Sequence, residues 1–319
     1  MSIRAVGTRF DDRFQLLKVL GHGAMGHVYE VSDELLQGAR WALKELDLGV
    51  VLETEKEEAI ALFHQEIAIL RQVSHPGCPR LVHEFVTDTG SPAFVMTRVE
   101  GIPLDLLVEQ LDRPLSVYET LPILLQVCHI FEHLHTHQPP IIFRDLKPSN
   151  LMLTDQGTVV LIDFGIARRF DPKKSKDTQE LGTPGFCSPE QYGRGQTTEQ
   201  SDIYSLATTA YFLLTRADVQ SFSFQFPPLS EHLTHEKVEE LSVLLDSMLS
   251  LKASERPATT IEVRERLVKI YRALGPNRER STRILTPSLK ALTEFALEPT
   301  KQLRVFDRDF FRQWFRAFF

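Results

Sequence analysis

The chain has 319 residues and carries 36 Lys and Arg residues against 43 Asp and Glu residues, a formal net charge of −7. Because a general nucleic-acid-binding protein usually has a basic surplus, this balance argues against that class and predicts no nucleic-acid partner. Hydrophobic residues make up 42% of the chain and charged residues 25%, as in an ordinary globular domain, which excludes global disorder.

Five segments of the first hundred residues predict β-strands, because apolar residues alternate there between turn-forming residues. The predicted strands cover residues 14–20, 27–31 and 40–44, and two more lie within 81–99. Between residues 54 and 72, apolar residues recur at steps of three and four, and acidic residues crowd the first turn, where the helix dipole favours them. That segment predicts one helix beside the strands.

The periodicity becomes helical from Gly101 onward. Helices are predicted around residues 124–134, 201–215, 236–250 and 260–274, and a short hairpin flanks a turn at 155–157. We therefore expect an α+β architecture. A small antiparallel-sheet lobe with one helix would occupy residues 14–100, and a larger, mainly helical lobe would occupy residues 101–274.

The last part of the chain differs in character. Residues 275–300 contain several Pro, Ser and Thr residues with weak periodicity, and we interpret them as a linker. Residues 301–319 combine aromatic side chains at helical spacing with an arginine at every fourth position from Arg304 to Arg316, which predicts a helix. Three interpretations are open: the helix packs on the large lobe of its own chain, docks on a partner, or lies at a membrane surface.

The sequence contains no apolar run as long as the ~18 residues that a transmembrane helix needs. The N-terminal residues lack the apolar stretch of a secretion signal. The cysteines at positions 78, 128 and 187 are odd in number and widely spaced, which is untypical of a disulfide framework or a metal site. We therefore expect a cytoplasmic location.

Three glycines follow the first predicted strand, in the GxGxxGxV segment that runs from Gly21 to Val28. A dinucleotide-binding turn shares the three glycines but opens a helix, whereas here an alternating strand follows. The segment therefore predicts a glycine hairpin whose amides could lie over phosphates. A plain strand turn is the alternative that these residues leave open.

Lys44 lies inside an otherwise apolar strand, and a buried ammonium group needs an anionic partner. A nucleotide phosphate is one candidate. Glu66 is another, because it lies near the apolar face of the predicted helix and also needs a partner. The alternative is that both side chains extend to solvent.

The segment from Phe143 to Asn150 places Asp145, Lys147 and Asn150 within six positions after an apolar strand. Such a loop can bring a base, a cation and a metal-binding amide into one small volume. Asp163 ends the next apolar strand, and its carboxylate is the kind of hard oxygen ligand that Mg²⁺ prefers. Taken singly, each piece could also be an ordinary polar loop.

Four histidines lie between residues 129 and 137, and His133 and His137 are one helical turn apart, as in some metal sites. They end a helix just before Pro139, with no accompanying cluster of carboxylates. We therefore interpret them as solvated or helix-capping residues.

Six motifs occur in a fixed order between residues 14 and 274. They are the GxGxxGxV element, Ala42-Leu-Lys44, the helix glutamate Glu66, Arg144-Asp-Leu-Lys-Pro-Ser-Asn150, Asp163-Phe-Gly165 and Ser188-Pro-Glu190. In this combination the chain resembles the eukaryotic-like (Hanks-type) Ser/Thr protein kinases in their bacterial form. The resemblance implies the bilobal protein-kinase fold, with ATP and Mg²⁺ as cofactors.

The resemblance also implies roles for individual residues. Asp145 would accept the proton of the substrate hydroxyl, and Lys147 would stabilise charge on the transferred phosphate. Asn150 and Asp163 would hold Mg²⁺. ATP would be bound by Gly21, Gly23, Gly26, Val28, Ala42, Lys44, Glu66, Met96, Thr97, Val99 and Met152.

Further residues would regulate the enzyme. Arg144 precedes Asp145, as in protein kinases that are controlled by phosphorylation of the segment after Asp163. We expect a phosphate on Ser175 or Thr178 to pair with Arg144 and to order this segment. Thr183, together with Lys147, is similar to the Ser/Thr-specific pattern.

The chain departs from the family pattern at two positions: Phe143 replaces a histidine, and Ser188 replaces an alanine. An aromatic residue can fill the same place in an apolar column, which we expect to contain Leu70, Leu81, Phe143 and Phe164. The departures therefore do not argue against activity.

The expected function is transfer of the ATP γ-phosphate to Ser or Thr hydroxyls of proteins, including autophosphorylation. The segment from Gly182 to Glu190 resembles a peptide-binding region and argues against a small-molecule phosphotransferase. The alternative function is a nucleotide-binding signalling scaffold that acts through its C-terminal tail. We also expect Glu190 to pair with Arg256. Asp202 should hold the backbone of the segment from Phe143 to Asn150, here called the catalytic loop.

Overall fold

The structure is a computed structural model that describes residues 3–23, 26–171, 182–192, 195–231 and 239–274. The predicted linker at 275–300 and the predicted helix at 301–319 lie outside the described residues, as do Ser175 and Thr178. The expectations for these segments stay predictions.

The small lobe is built on a six-stranded antiparallel sheet. Its strands are β1 (Arg9–Phe10), β2 (Phe14–Gly23), β3 (Gly26–Asp33), β4 (Ala39–Leu46), β5 (Leu81–Val86) and β6 (Pro92–Thr97). Their order across the sheet is β1-β2-β3-β4-β6-β5. Five of them correspond to the predicted strands, and β2 continues into the glycine motif.

One face of this sheet is turned toward the large lobe. Residues opposite each other on neighbouring antiparallel strands share a face, and so do residues two positions apart on one strand. The register pairs Val28 with Lys44, Glu30 with Ala42, and Ala42 with Met96. All five side chains therefore lie on one face, here called the cleft face because Lys44 contacts the large lobe from it.

The opposite face, here called the outer face, carries an apolar cluster that is separate from the main core. The cluster consists of Phe10, Phe14, Leu16, Tyr29, Val31, Trp41, Leu43, Ala93 and Val95. The segment before β1 lies against it: the Arg4 guanidinium is 5.7 Å from the centroid of the Phe10 ring and donates to Glu45 Oε1 at 2.7 Å. The small lobe thus buries apolar side chains on both sides of its sheet.

Helix α1 (Lys56–Leu70) connects β4 to β5 and packs on the cleft-face side of the sheet. Its first turn is acidic, as predicted, and its buried stripe includes Phe63. The Phe63 ring centroid lies 5.2 Å from that of Phe94, which is opposite Lys44 in the register. Because Glu66 lies on the same buried side of α1, its carboxylate faces the cleft.

The large lobe is mainly helical. Its helices are α2 (Leu104–Leu111), α3 (Val117–His135), α4 (Glu199–Thr215), α5 (Glu239–Met248) and α6 (Thr260–Leu274). Its short strands are β7 (Ile102–Pro103), β8 (Ile141–Ile142), β9 (Leu151–Leu153), β10 (Val159–Leu161) and β11 (Arg168–Arg169). None of the helices in the described ranges combines the length and the hydropathy needed to cross a membrane.

The four residues of the expected apolar column all belong to the main core or pack against it, and two of them are in direct contact. The rings of Phe143 and Phe164 meet edge-on with their centroids 5.2 Å apart. Leu70 is buried in the same cluster, and Leu81 packs against it. Phe143 is fully buried, so this position needs an apolar ring rather than a polar one.

Histidines cluster where the loop after α1 meets α3. The His133 ring centroid lies 5.3 Å from that of His75 and 5.0 Å from that of His137. His137 Nδ1 donates to the His133 carbonyl at 2.9 Å and so caps the helix end. Burial, together with His133 and His129, lowers the pKa of His75 to about 3. Burial, together with Arg264, lowers the pKa of His129 to about 4.

Acidification from pH 7 to pH 5 is expected to lower the free energy of unfolding by about 2 kcal/mol for each of His75 and His129. The unfolded chain binds a proton near the ordinary histidine pKa of about 6.5. In the folded chain, His75 and His129 stay neutral until the pH falls to their lowered pKa values. Between pH 6.5 and those pKa values the unfolded state binds more protons, so acidification favours unfolding.

Thermal unfolding at both pH values measures this effect in the wild type, in His129→Gln and in His64→Gln, which changes an exposed histidine of α1. The His129→Gln protein should lose about 2 kcal/mol less than the other two. An equal loss of unfolding free energy in all three proteins would contradict a lowered pKa of His129 in the folded state.

Candidate active site

Lys44 connects the two lobes through two carboxylates. Its Nζ donates to both Oε atoms of Glu66 and to Oδ1 of Asp163, each at 2.8 Å. Glu66 comes from α1, whereas Asp163 follows β10 in the large lobe. The predicted pair of Lys44 and Glu66 is present, and Asp163 is a third member that sequence reasoning did not place there.

Lys44, Glu66 and Asp163, here called the triad, influence one another's pKa values. Burial raises the pKa of Glu66 even though Lys44 opposes that shift. The charge of Lys44 is the main cause that lowers the pKa of Asp163. Burial would lower the pKa of Lys44, but the two carboxylates raise it overall. Lys44 therefore stays a cation at the junction of the lobes, where an anionic ligand could meet it.

The loop that follows β8 is held by the first turn of α4. Asp202 accepts hydrogen bonds from the backbone N–H groups of Phe143 and Arg144, at 2.9 and 2.8 Å. His135 Nε2 donates to the same carboxylate at 2.8 Å. Asp202 thus holds the catalytic loop as expected, and this fixes where the next side chains project.

Two non-glycine residues beside the site have left-handed backbone conformations. Arg144 has φ 73° and Asp163 has φ 65°. Such a conformation costs about 1–3 kcal/mol and persists only where the surrounding structure enforces it. For Arg144, the hydrogen bonds to Asp202 supply that constraint.

Asp145, Lys147, Asn150 and Thr183 form one hydrogen-bonded cluster. Asn150 Nδ2 donates to Asp145 Oδ2 at 3.0 Å, and Lys147 Nζ lies 3.0 Å from the same oxygen. The Thr183 hydroxyl donates to Asp145 Oδ1 at 2.7 Å and accepts from Lys147 Nζ at 2.7 Å. The Asp145 carboxylate therefore already accepts a hydrogen bond from an alcohol, with a cation beside both groups.

Asp163, which contacts Lys44, and Asn150, which contacts Asp145, carry oxygen atoms that suit Mg²⁺. The Asp163 side chain is 49% exposed, so its carboxylate is accessible to a cation. Asn150 uses its amide nitrogen for Asp145, so its amide oxygen is the atom that could bind a metal. Carboxylate and amide oxygens are hard donors, and these two residues fit a magnesium ion.

The other candidate ATP-binding residues come from the small-lobe sheet, from the linker between the lobes and, for Met152, from the large lobe. Gly21, Gly23 and Gly26 belong to the β2–β3 hairpin, where Gly21 is opposite Val28 and Gly23 is opposite Gly26. Val28, Ala42 and Met96 are on the cleft face, and Met152 is on β9, opposite Pro103. Thr97 ends β6, and Val99 lies between β6 and β7.

The segment that contains Thr183 is anchored at its far end. Arg256 donates to both carboxylate oxygens of Glu190, at 2.7 and 3.0 Å, as predicted. Gln191 Nε2 donates to the Arg144 carbonyl at 2.8 Å and ties the segment to the catalytic loop. These contacts place Thr183 beside Asp145.

Three residues support the site through contacts that no sequence pattern predicted. Gln65 Nε2 donates to the Ala167 carbonyl at 2.6 Å and joins α1 to the segment after Asp163. The prediction that His135 is solvated or helix-capping is wrong, because its side chain is buried against Asp202. Gln191 has no predicted role in the sequence. Each makes a contact that is distant in the sequence. The one available signal was His135, four positions after Phe131 on the apolar stripe of α3.

The sequence of residues 14–268 matches the family described as the protein kinase domain. The chain belongs to this family. Its relatives include the probable serine/threonine-protein kinase PknB of Lactococcus lactis, 33% identical over 213 residues, and PrkC of Bacillus subtilis, 30% identical over 211 residues. Each alignment covers 66% of this chain, but only 32% and 31% of those proteins. The chain thus spans about a third of the length of these curated relatives.

A crystal structure of the Mycobacterium tuberculosis PknI kinase domain is similar to this chain, with a TM-score of 0.66 and 25% sequence identity. The superposition covers 84% of this chain and 100% of the PknI domain. These comparisons confirm the predicted family, the bacterial Hanks-type Ser/Thr kinases, and the bilobal fold.

Proposed function

We propose that this kinase domain transfers the γ-phosphate of ATP to Ser and Thr hydroxyls of proteins, itself included. The observation that carries the proposal is the convergence of Lys44, Asp163 and the Asp145 cluster from separate parts of the chain. Family membership supports ATP as the phosphate donor. Thr183 and the anchored segment around it support a protein acceptor.

The reaction needs positioning and charge neutralisation more than covalent catalysis. The substrate oxygen attacks the γ-phosphorus, the bond from that phosphorus to the β–γ bridging oxygen breaks, and ADP leaves. Asp145 accepts the hydroxyl proton, and Lys147, 3.0 Å from Asp145 Oδ2, stabilises charge on the phosphoryl group. Lys44 remains fixed by Glu66 while its ammonium group donates to phosphate oxygens.

A Mg²⁺ ion held by Asp163 and Asn150 would neutralise phosphate charge. We also propose a cytoplasmic location, which the three free cysteines support. The boundaries 14–274, 275–300 and 301–319 remain our proposal for the domain, the linker and the terminal helix.

Transfer of radiolabelled phosphate from ATP to a generic protein acceptor tests the activity. Replacing Asp145 by alanine is expected to lower the rate by about 10²–10⁴-fold, because the positioned base is lost. Asp112→Ala is the control, since Asp112 forms an exposed pair with Arg216 on the large lobe. Nucleotide binding without any transfer by the wild type would contradict the proposal and favour a nucleotide-loaded scaffold.

Two glycines of the β2–β3 hairpin are expected to respond differently to replacement by alanine. A Cβ atom at Gly26 would lie 2.1 Å from the Glu45 carbonyl oxygen, so Gly26→Ala forces β3 and β4 apart. A Cβ atom at Gly21 would meet no atom of the residues that the structure describes within 4 Å. Gly21→Ala should therefore leave the melting temperature unchanged and raise the KM for ATP, because the methyl group crowds the phosphates.

Thermal unfolding and steady-state kinetics of the two variants check this difference. Gly26→Ala should lower the free energy of unfolding by about 1–3 kcal/mol, the usual cost of an overpacked site. An unchanged melting temperature in Gly26→Ala would contradict the close approach of Gly26 to β4. An unchanged KM in Gly21→Ala would contradict the position of Gly21 over the ATP phosphates.

A further inference from the structure

A buried carboxylate lies on the cleft face of β3, outside the triad and the Asp145 cluster. The Glu30 side chain is 1% exposed and attracts three cations from three parts of the chain. Arg40 of β4 donates to Oε1 at 2.8 Å. Lys18 Nζ of β2 lies 3.3 Å from Oε2, and Arg98 Nε lies 3.2 Å from the same atom.

The three cations differ in their exposure to water. The side chains of Lys18 and Arg40 are 59% and 63% exposed, whereas that of Arg98 is only 19% exposed. Ion pairs of exposed side chains contribute little, because water and salt screen them. The pair of Glu30 and Arg98 is therefore the one that water screens least, and losing Arg98 leaves Glu30 with two exposed partners, of which Arg40 makes the shorter contact. Arg98 also forms an ion pair with Glu100 in the linker.

Arg98 differs from the other two cations in its place along the chain as well. It lies in the linker between β6 and β7, which joins the two lobes. The linker is held on the N-terminal side by Arg80, whose carbonyl accepts from Thr97 N at 2.9 Å. At its other end, a Cβ atom on Gly101 would lie 2.5 Å from the Leu153 carbonyl oxygen, so the linker backbone touches β9 there.

The Glu30–Arg98 pair joins this linker to the part of the sheet that is expected to hold the base of the nucleotide. Glu30 is opposite Ala42 in the register, and Val28 lies two positions away on the same face. Arg98 lies between Thr97 and Val99, the linker residues assigned to the nucleotide. The ion pair thus bridges the two walls between which the base would enter.

We propose that Arg98, held by Glu30, is a positioning residue that sets the distance between the linker and the small-lobe sheet and so prepares the site for the purine base. This inference rests on the proposed function, because it assigns the role to the ATP site. A site whose walls are fixed before binding loses less conformational entropy when the ligand enters. Without the pair, nucleotide affinity should fall, while the rate of the chemical step at Asp145 should change little.

The test compares Arg98→Ala with Arg40→Ala in the 319-residue chain. Both variants remove one cation from Glu30, but only Arg98 belongs to the linker. The measurements are the dissociation constant for ADP by calorimetry, KM and kcat for ATP, and the melting temperature of each protein.

Arg98→Ala is expected to weaken ADP binding and to raise KM by about fivefold, which corresponds to about 1 kcal/mol. Its kcat should stay within about twofold of the wild type, and Arg98→Lys should recover part of the affinity because it restores the charge. Arg40→Ala should bind ADP as the wild type does. A merely structural role for Arg98 would lower the melting temperature without this separation of KM from kcat.

A double-mutant cycle with Glu30→Gln tests whether the two residues act through each other. Once Glu30 is neutral, Arg98→Ala should cause no further loss of ADP affinity. Equal ADP affinity in Arg98→Ala and Arg40→Ala, or independent losses in the cycle, would overturn the inference. A wild-type chain that binds no nucleotide would instead overturn the proposed function.

Discussion

Replacing Lys44 by methionine is expected to lower the rate of phosphoryl transfer by about 10²–10³-fold, the usual effect of removing one positioned donor from a transition state. The same change leaves the buried Glu66 carboxylate without its cation. Because burial raises the pKa of Glu66 and Lys44 opposes this, losing Lys44 should push that pKa higher still. We therefore expect lower stability as well, by about 3–5 kcal/mol when the carboxylate stays ionised.

A second substitution separates the two effects. In the Lys44→Met Glu66→Gln protein, a neutral amide replaces the carboxylate, and stability should return toward that of the wild type. Transfer should stay at the level of the single variant, because no cation reaches the phosphates. Phosphate transfer and thermal unfolding are measured on the same preparations. Recovery of activity in the double variant would show that Lys44 acts only by stabilising the fold.

Replacing Arg256 by alanine is expected to destabilise the large lobe by about 3–5 kcal/mol, since one partner of a buried ion pair is removed. The Arg256 side chain is fully buried, binds both oxygens of Glu190, and lies 4.8 Å from the centroid of the Tyr204 ring. Burial would raise the pKa of Glu190, but the hydrogen bonds and charge of Arg256 lower it overall. Without Arg256, the Glu190 carboxylate therefore loses the cation that stabilises its charged form.

Denaturant unfolding of Arg256→Ala measures this loss, with Arg216→Ala as the matched control. Arg216 also pairs with a carboxylate, Asp112, but the side chains of Arg216 and Asp112 are 38% and 88% exposed. The control should change the free energy of unfolding by less than about 1 kcal/mol. Similar losses in the two variants would show that the buried pair contributes no more than a surface pair.

Local patterns in the sequence predict the ionic partners of the small lobe. An ammonium group in an apolar strand and a carboxylate on an apolar helix face each required a partner, and Lys44 and Glu66 are partners in the structure. The order of the motifs identified the family, which fixed the bilobal fold and brought together residues as distant as Lys44 and Asp163. Residue types and spacing alone did not predict that Lys44 and Asp163 would be in contact.

The contacts that the analysis missed depend on side-chain placement across long stretches of chain. Arg98 and Glu30 are separated by 68 residues, and nothing in either local pattern indicates the other. His135 ends a helix in the sequence, yet the packing of α3 on α4 buries it against Asp202. Gln65 looks like a surface residue of α1 until the segment around Ala167 lies beside it. Such contacts follow from the fold and not from local periodicity.

The outer-face cluster has a consequence for shortened versions of this protein. A fragment that began at Phe14, where the family match begins, would lack Arg4 and Phe10 and would uncover the aromatic rings of Tyr29 and neighbouring residues. Large apolar patches in contact with water promote self-association. Such a fragment would therefore tend to aggregate even with every residue of the nucleotide cleft intact, and expression trials should retain the residues before β1.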